Sequence, residues 1–125
     1  MEKHLRICID LDGTICELRK PGQSYSDVMP KPGAKEMIDY LHNAGHIIII
    51  NTARNMGSTG HNIGKVMKNI GQITFEWLKQ YDIYYDEIFF GKPNADITID
   101  DRVIRFDGDW NKITEDFIIR HAKAE

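Results

Sequence analysis

Cysteine is scarce in this chain, and its scarcity sets the first exclusions. Cys8 and Cys16 are the only two in 125 residues and lie at no metal-type spacing. A disulfide-built scaffold and a thiolate metal site are therefore both excluded. Long apolar runs are missing too. The longest, IIII at 47–50, is far short of the ~20 residues that cross a bilayer. Nor is there an excess of basic residues: 16 Lys and Arg face 19 Asp and Glu, a formal net charge of −3. That balance argues against a large nonspecific nucleic-acid surface, though not against a local basic pocket. The start, MEKHLR, lacks the apolar stretch of a secretion signal. Repeats, low-complexity tracts and interdomain linkers are absent as well. What is present, 42% hydrophobic and 28% charged residues, is ordinary globular composition, enough for one domain over 1–125 with its own core. The expectation is a cytoplasmic protein with reduced thiols, Cys8 being a small core residue.

The spacing of the apolar residues lays out alternating strands and helices. Residues 5–10, LRICID, read as a short buried strand. Residues 13–31, rich in Gly, Pro, Ser and Lys, read as loop with a small hairpin. Pro32 suits the first turn of a helix in which Ala34, Met37, Ile38 and Leu41 share a face, and Gly45 is placed to end it. HIIIIN, 46–51, is apolar throughout, as in a strand covered on both faces. A glycine-rich loop at 55–64 precedes a helix over 62–80 with Val66, Ile70, Trp77 and Leu78 on one side. EIFFG at 87–91 and DITID at 96–100 read as two more strands. A last helix near 110–122 buries Trp110, Ile113, Phe117 and Ile118. This order predicts an α/β fold, three-layer α/β/α and Rossmann-like, with a mainly parallel sheet.

In such sheets ligands bind beyond the carboxyl ends of the strands. Asp10 and Asp12 end the first strand, Thr52 follows the second, Lys92 the third, and Asp100 with Asp101 end the fourth. Carboxylates converging on one point repel each other without a cation. Mg²⁺, which takes hard oxygen ligands and keeps several waters, suits the set. A metal-bound phosphate would complete the shell, with Lys92 and the Thr52 hydroxyl complementing its oxygens. One carboxylate can attack phosphorus to give an aspartyl-phosphate. A second, held off the metal, can protonate the leaving alcohol and later deprotonate water. Asp10 and Asp12 suit this division of labour. Arg54 is as much a candidate for the anionic substrate as a surface arginine.

DLDGT at 10–14, Thr52, Lys92 in GKP and IDD at 99–101 resemble, in order, the motifs of the haloacid dehalogenase-like phosphohydrolases. The resemblance implies Asp10 as nucleophile and Asp12 as general acid and base, its backbone carbonyl also on Mg²⁺. It implies Thr52 and Lys92 on phosphate, Asp100 as a direct metal ligand and Asp101 on metal-bound water. Dehalogenases of the superfamily lack the second aspartate and its transport ATPases carry Thr there, so Asp12 points to phosphate esters. Caps in the superfamily are inserted after the first motif or between the second and third. Only about 20 residues separate Gly13 from the first helix, and the 40 between Thr52 and Lys92 read as helix and strand. A capless member is expected, similar, with NTARN at 51–55, to small bacterial phosphatases of capsule or surface-polysaccharide synthesis. That resemblance implies a small sugar or polyol phosphate as substrate, with neither nucleic acid nor membrane as partner. It leaves room for a homo-oligomer whose neighbouring subunit covers the open site.

Other readings fit less well. GSTGHNIGK is not a nucleotide P-loop, because three residues separate Gly60 from Gly64 where four are needed and Val66 replaces the Mg²⁺-binding hydroxyl. The loop at 55–64 reads instead as a partial lid. The five histidines form no metal-ligand pattern. Asp107 and Asp109 read as a turn and a helix cap, and Phe89, Phe90, Tyr81, Tyr84 and Tyr85 as core and strand residues. A receiver-like signalling module would need its phosphorylated Asp on a middle strand ahead of the Thr, which the order here rejects. A non-catalytic phosphate-binding module, or a phosphotransferase or mutase of the same fold, remains the alternative to hydrolysis.

Overall fold

The structure, a computed structural model, describes residues 4–122. Three parallel strands form its sheet in the order β1-β2-β3: β1 Arg6–Asp10, β2 Ile47–Thr52 and β3 Glu87–Phe90. In β2 the consecutive residues Ile48, Ile49 and Ile50 are all buried. Successive strand residues point to opposite faces, so both faces of β2 are covered. The result is the expected small, Rossmann-like α/β architecture.

Helix α1, Ala34–Asn43, buries Ala34, Ile38 and Leu41. The predicted helix over 62–80 forms as three consecutive pieces: α2 Ile63–Val66, a π-helical turn Met67–Gly71 and α3 Gln72–Gln80. Together they bury Val66, Ile70, Trp77 and Leu78 as the spacing predicts. The last helix starts later than expected. Trp110–Lys112 is a 3-10 turn capped by Asp109, and α4 spans only Glu115–His121, with the Thr114 hydroxyl accepting from the Phe117 N–H. His46 ties that helix to the sheet. Its Nδ1 accepts from the Leu5 N–H at 3.0 Å, so Nε2 carries the proton and donates to Glu115 at 2.7 Å.

Two expectations fail. Cys8 is exposed, on the face of β1 opposite the buried Ile9; partial burial still raises the thiol above its ordinary value. The fourth strand, 96–100, does not form. Its connection is too short: the N–H groups of Gly91 and Lys92 both donate to the Thr52 carbonyl, at 3.2 and 3.1 Å, which pins Lys92 at the carboxyl edge. Only Pro93, Asn94 and Ala95 then precede Asp96. They span roughly 10 Å at most, whereas a return to the amino edge for a parallel strand takes about a dozen residues. Phe89 is a strand residue of β3 as expected, 54% exposed, while Tyr81, Tyr84 and Tyr85 pack against the core. Residues 14–33 hold one 3-10 turn, Tyr25–Asp27, and residues 53–91 hold α2, α3 and β3. Neither stretch contains a cap domain.

Candidate active site

Strand ends place the first acidic pair. β1 stops at Asp10, and the chain turns at once through Leu11, Asp12 and Gly13, where φ is +84°, a conformation glycine adopts without strain. Leu11 is fully buried and anchors the turn in the core, so the side chains on either side of it face outward. Lys92 arrives from β3 through Gly91, where φ is +102° and a Cβ would lie 2.5 Å from Ile63 Cδ1. Its Nζ stands 3.2 Å from Asp10 Oδ1, with both side chains about one third exposed. Burial pushes the Asp10 carboxyl above its ordinary value, against the pull of Lys92, and the neighbouring charge of Asp12 adds to the rise.

Asp12 is held differently. Arg54 Nε reaches both its oxygens, at 3.1 and 3.0 Å, and Nη2 reaches Oδ1 at 2.9 Å. The Thr52 hydroxyl donates to Oδ2 at 3.3 Å and accepts the Arg54 N–H at 3.0 Å. Cys16 Sγ lies 3.5 Å from Oδ1; burial first, and then the charge of Asp12, push this thiol up to about 12, so it stays a donor and not a nucleophile. Arg54 is itself buried. Its Nη1 donates to Thr74 Oγ1 at 3.0 Å, and Thr74 passes a hydrogen bond on to the Ile70 carbonyl at 2.7 Å. The Tyr25 ring covers the guanidinium at 4.1 Å. Thr52 and Arg54 therefore face Asp12. The fork geometry of arginine fixes the plane of that carboxylate. Arg54→Lys is expected to lower stability by about 1–3 kcal/mol as the charged bidentate contact is lost. A urea midpoint equal to wild type would show that the clamp contributes nothing.

Asp10, Asp12, Arg54 and Lys92 open onto one cleft of about 630 Å³, with Tyr25 and Asn55 on one side and residues 92–98 as the far wall. Gly57 and Ser58 of the glycine-rich loop also line it, which puts that loop beside the site as expected. Asp100 and Asp101 are not brought there. They lie on an exposed bend, where Asp100 Oδ1 accepts the Arg102 N–H at 2.9 Å. Among the described residues no group of three or more His, Cys, Asp or Glu could hold a metal ion. Asp100 and Asp101 thus do not join Asp10 and Asp12 in one ligand group among the described residues. Thr74, Tyr25 and Cys16 also support the site, none of them marked by a sequence motif. Thr74 and Tyr25 are far from Arg54 in sequence and join it only through packing, whereas Cys16 is four residues from Asp12 and meets it across the turn that follows β1.

No helix among the described residues is long and apolar enough to cross a membrane. No curated protein matches the chain. A crystal structure of a target protein from Vibrio cholerae superposes with a TM-score of 0.80 at 31% identity, over 95% of this chain and 96% of that one. The profile of the haloacid dehalogenase-like hydrolases matches residues 7–88, from β1 with Asp10 and Asp12, through Thr52, into β3. That match takes in Asp10 and Asp12 of the cleft and the strands around them, and on it the chain belongs to the haloacid dehalogenase-like hydrolases.

Proposed function

We propose that this hydrolase is a Mg²⁺-dependent phosphomonoesterase working through an aspartyl-phosphate on Asp10, with a small sugar or polyol phosphate of surface-polysaccharide synthesis as its substrate. One observation carries the reading: two carboxylates share a cleft, Asp10 beside Lys92 and Asp12 fixed by Arg54 and Thr52. An Asp10 oxygen attacks phosphorus, and the ester P–O bond breaks as the leaving alcohol takes a proton from the Asp12 carboxyl. Water then gives a proton back to Asp12 and attacks the same phosphorus. The bond to Asp10 breaks and inorganic phosphate leaves. Lys92, released from Asp10 by the incoming phosphate, follows its oxygens as charge builds on them. Magnesium enters the proposal as the cation that offsets the charge shared by phosphate and carboxylates.

The test is phosphate release from a panel of small phosphate esters, with Mg²⁺ or with a chelator. Release that needs Mg²⁺ is expected, strongest with a sugar or polyol phosphate. Release unchanged by the chelator would remove the metal, and no release from any ester would remove the phosphatase.

A further inference from the structure

We propose that the cleft holds a second anion subsite at Arg19, which selects phosphate esters whose alcohol part carries a further carboxylate or phosphate. The ester it serves rests on the phosphatase reading; the placing of Arg19 rests on geometry alone. Three cations and three carboxylates line the cleft: Arg19, Arg54 and Lys92 against Asp10, Asp12 and Asp96. Arg54 is committed to Asp12 at 2.9 Å, and Lys92 stands 3.2 Å from Asp10. Arg19 forms no ion pair among the described residues. It is the cation of this cleft with no carboxylate to offset it.

The loop holds that guanidinium in place. Residues 20–23 form a tight turn, the Gln23 N–H donating to the Lys20 carbonyl at 3.0 Å. Pro21 and Gly22 are its central residues. Proline fixes the first of them, and Gly22, with φ at +81°, supplies the positive φ that a type II turn needs at the second. The Gln23 side chain tightens the turn by accepting the Lys20 N–H at 2.9 Å. Arg19 folds back across it. Its Nη1 donates to the Gln23 carbonyl at 3.1 Å, and its guanidinium lies 5.0 Å from the centre of the Tyr25 ring. On the other side Leu18 lies against Gly13, where a Cβ would come 3.2 Å from Leu18 Cδ2. Arg19 is thereby carried to the rim of the cleft, beside the turn that presents Asp12.

The reach suits a small substrate. Arg54 lies 4.1 Å from the centre of the same Tyr25 ring that Arg19 covers, so one small molecule spans the distance from Asp12 to Arg19. A guanidinium has five N–H donors, and among the described residues Arg19 gives the protein only the bond to Gln23. The others form a fork that binds carboxylate or phosphate through paired hydrogen bonds. The opposite wall carries Asp96, which repels a second anion there. The charges therefore fix the direction of the substrate: the reacting phosphate at Asp10 and Lys92, the second anionic group toward Arg19. A neutral sugar phosphate uses only the first half of this arrangement.

The test pairs esters that differ in one group. Phosphoglycerate and glycerol phosphate share a three-carbon skeleton, with a carboxylate in the first where the second has a hydroxymethyl. Fructose bisphosphate against fructose phosphate is the matching pair for a second phosphate. Calorimetry on the full chain carrying Asp10→Asn, with Mg²⁺, reads Kd without turnover. The doubly anionic member of at least one pair should bind about tenfold tighter or more, and the pair that shows it tells carboxylate from phosphate. Arg19→Gln in the same background should erase that ratio, and Arg19→Lys, which keeps the charge, should retain part of it. An arginine that merely braces the loop would weaken both members of a pair alike, so a ratio unchanged in Arg19→Gln overturns the subsite. Equal binding within both pairs before Arg19 is changed overturns it too. If the wild type hydrolyses no ester while the ratio still depends on Arg19, the phosphatase reading falls and the subsite stands.

Discussion

Asp10→Asn is expected to abolish phosphate release, by about 10⁴-fold or more in kcat, the scale seen when a covalent nucleophile is removed. The amide has nearly the shape of the carboxylate, so the fold has little reason to change, although the Lys92 ion pair at 3.2 Å loses its negative partner. What disappears is the anionic oxygen that bonds to phosphorus. Asp12→Asn offers the contrast. The acid and base of the proposed reaction are one group, so its loss should slow both formation and breakdown of the phosphoenzyme, by about 10²–10⁴-fold. Rapid-quench measurement separates the two variants: no acid-stable phosphoenzyme in Asp10→Asn, a slowly formed one in Asp12→Asn. A phosphoenzyme in Asp10→Asn would move the nucleophile elsewhere. Unchanged turnover in Asp12→Asn would remove it from proton transfer.

How far the sequence reveals this arrangement depends on how local each signal is. Strand β2 is legible because an unbroken isoleucine run has few other places in a soluble fold, and α1 because its buried residues recur at helical spacing. Asp10 and Lys92 are legible because strand ends locate them without any knowledge of packing. The start of α4 is legible in Thr114 followed by Glu115 and Asp116, an N-cap with acidic first-turn residues. Burial of Trp110 does not mark a helix start, since it is buried in a 3-10 turn for the same reason it would be buried in a helix. The fourth strand is the instructive error. DITID has the right residues, but strand propensity says nothing about whether the chain can arrive at the sheet, and the three-residue link after Lys92 decides against it. The Arg54–Thr74 contact lies at the opposite extreme. It joins residues 20 positions apart, and a threonine inside a helix gives no hint that it will meet a buried guanidinium.

The largest loss of stability is expected from Trp77→Ala. Trp77 is 1% exposed, and its ring lies 4.8 Å from that of Tyr81. Its Nε1 donates to the Val28 carbonyl at 2.8 Å. Truncation leaves a cavity worth about 3–5 kcal/mol and deprives a buried carbonyl of its donor, so Tm should fall by on the order of 10–20 °C. The damage should also reach the cleft. Val28 is itself buried and belongs to the long loop that carries Tyr25 over Arg54, and Cys16 bridges to Pro30 in the same loop. Once Val28 is no longer held, the cover on Arg54 loosens, and with it the orientation of Asp12. Trp77→Phe narrows the comparison: it keeps a six-membered ring in the core while losing the N–H and part of the indole, so it should cost about 2–3 kcal/mol. If the Val28 contact supports Asp12, that variant should lose turnover beyond its loss of folded protein. If turnover per folded molecule stays at the wild-type level, Trp77 serves the core alone, and the loop is held over Arg54 by its own packing.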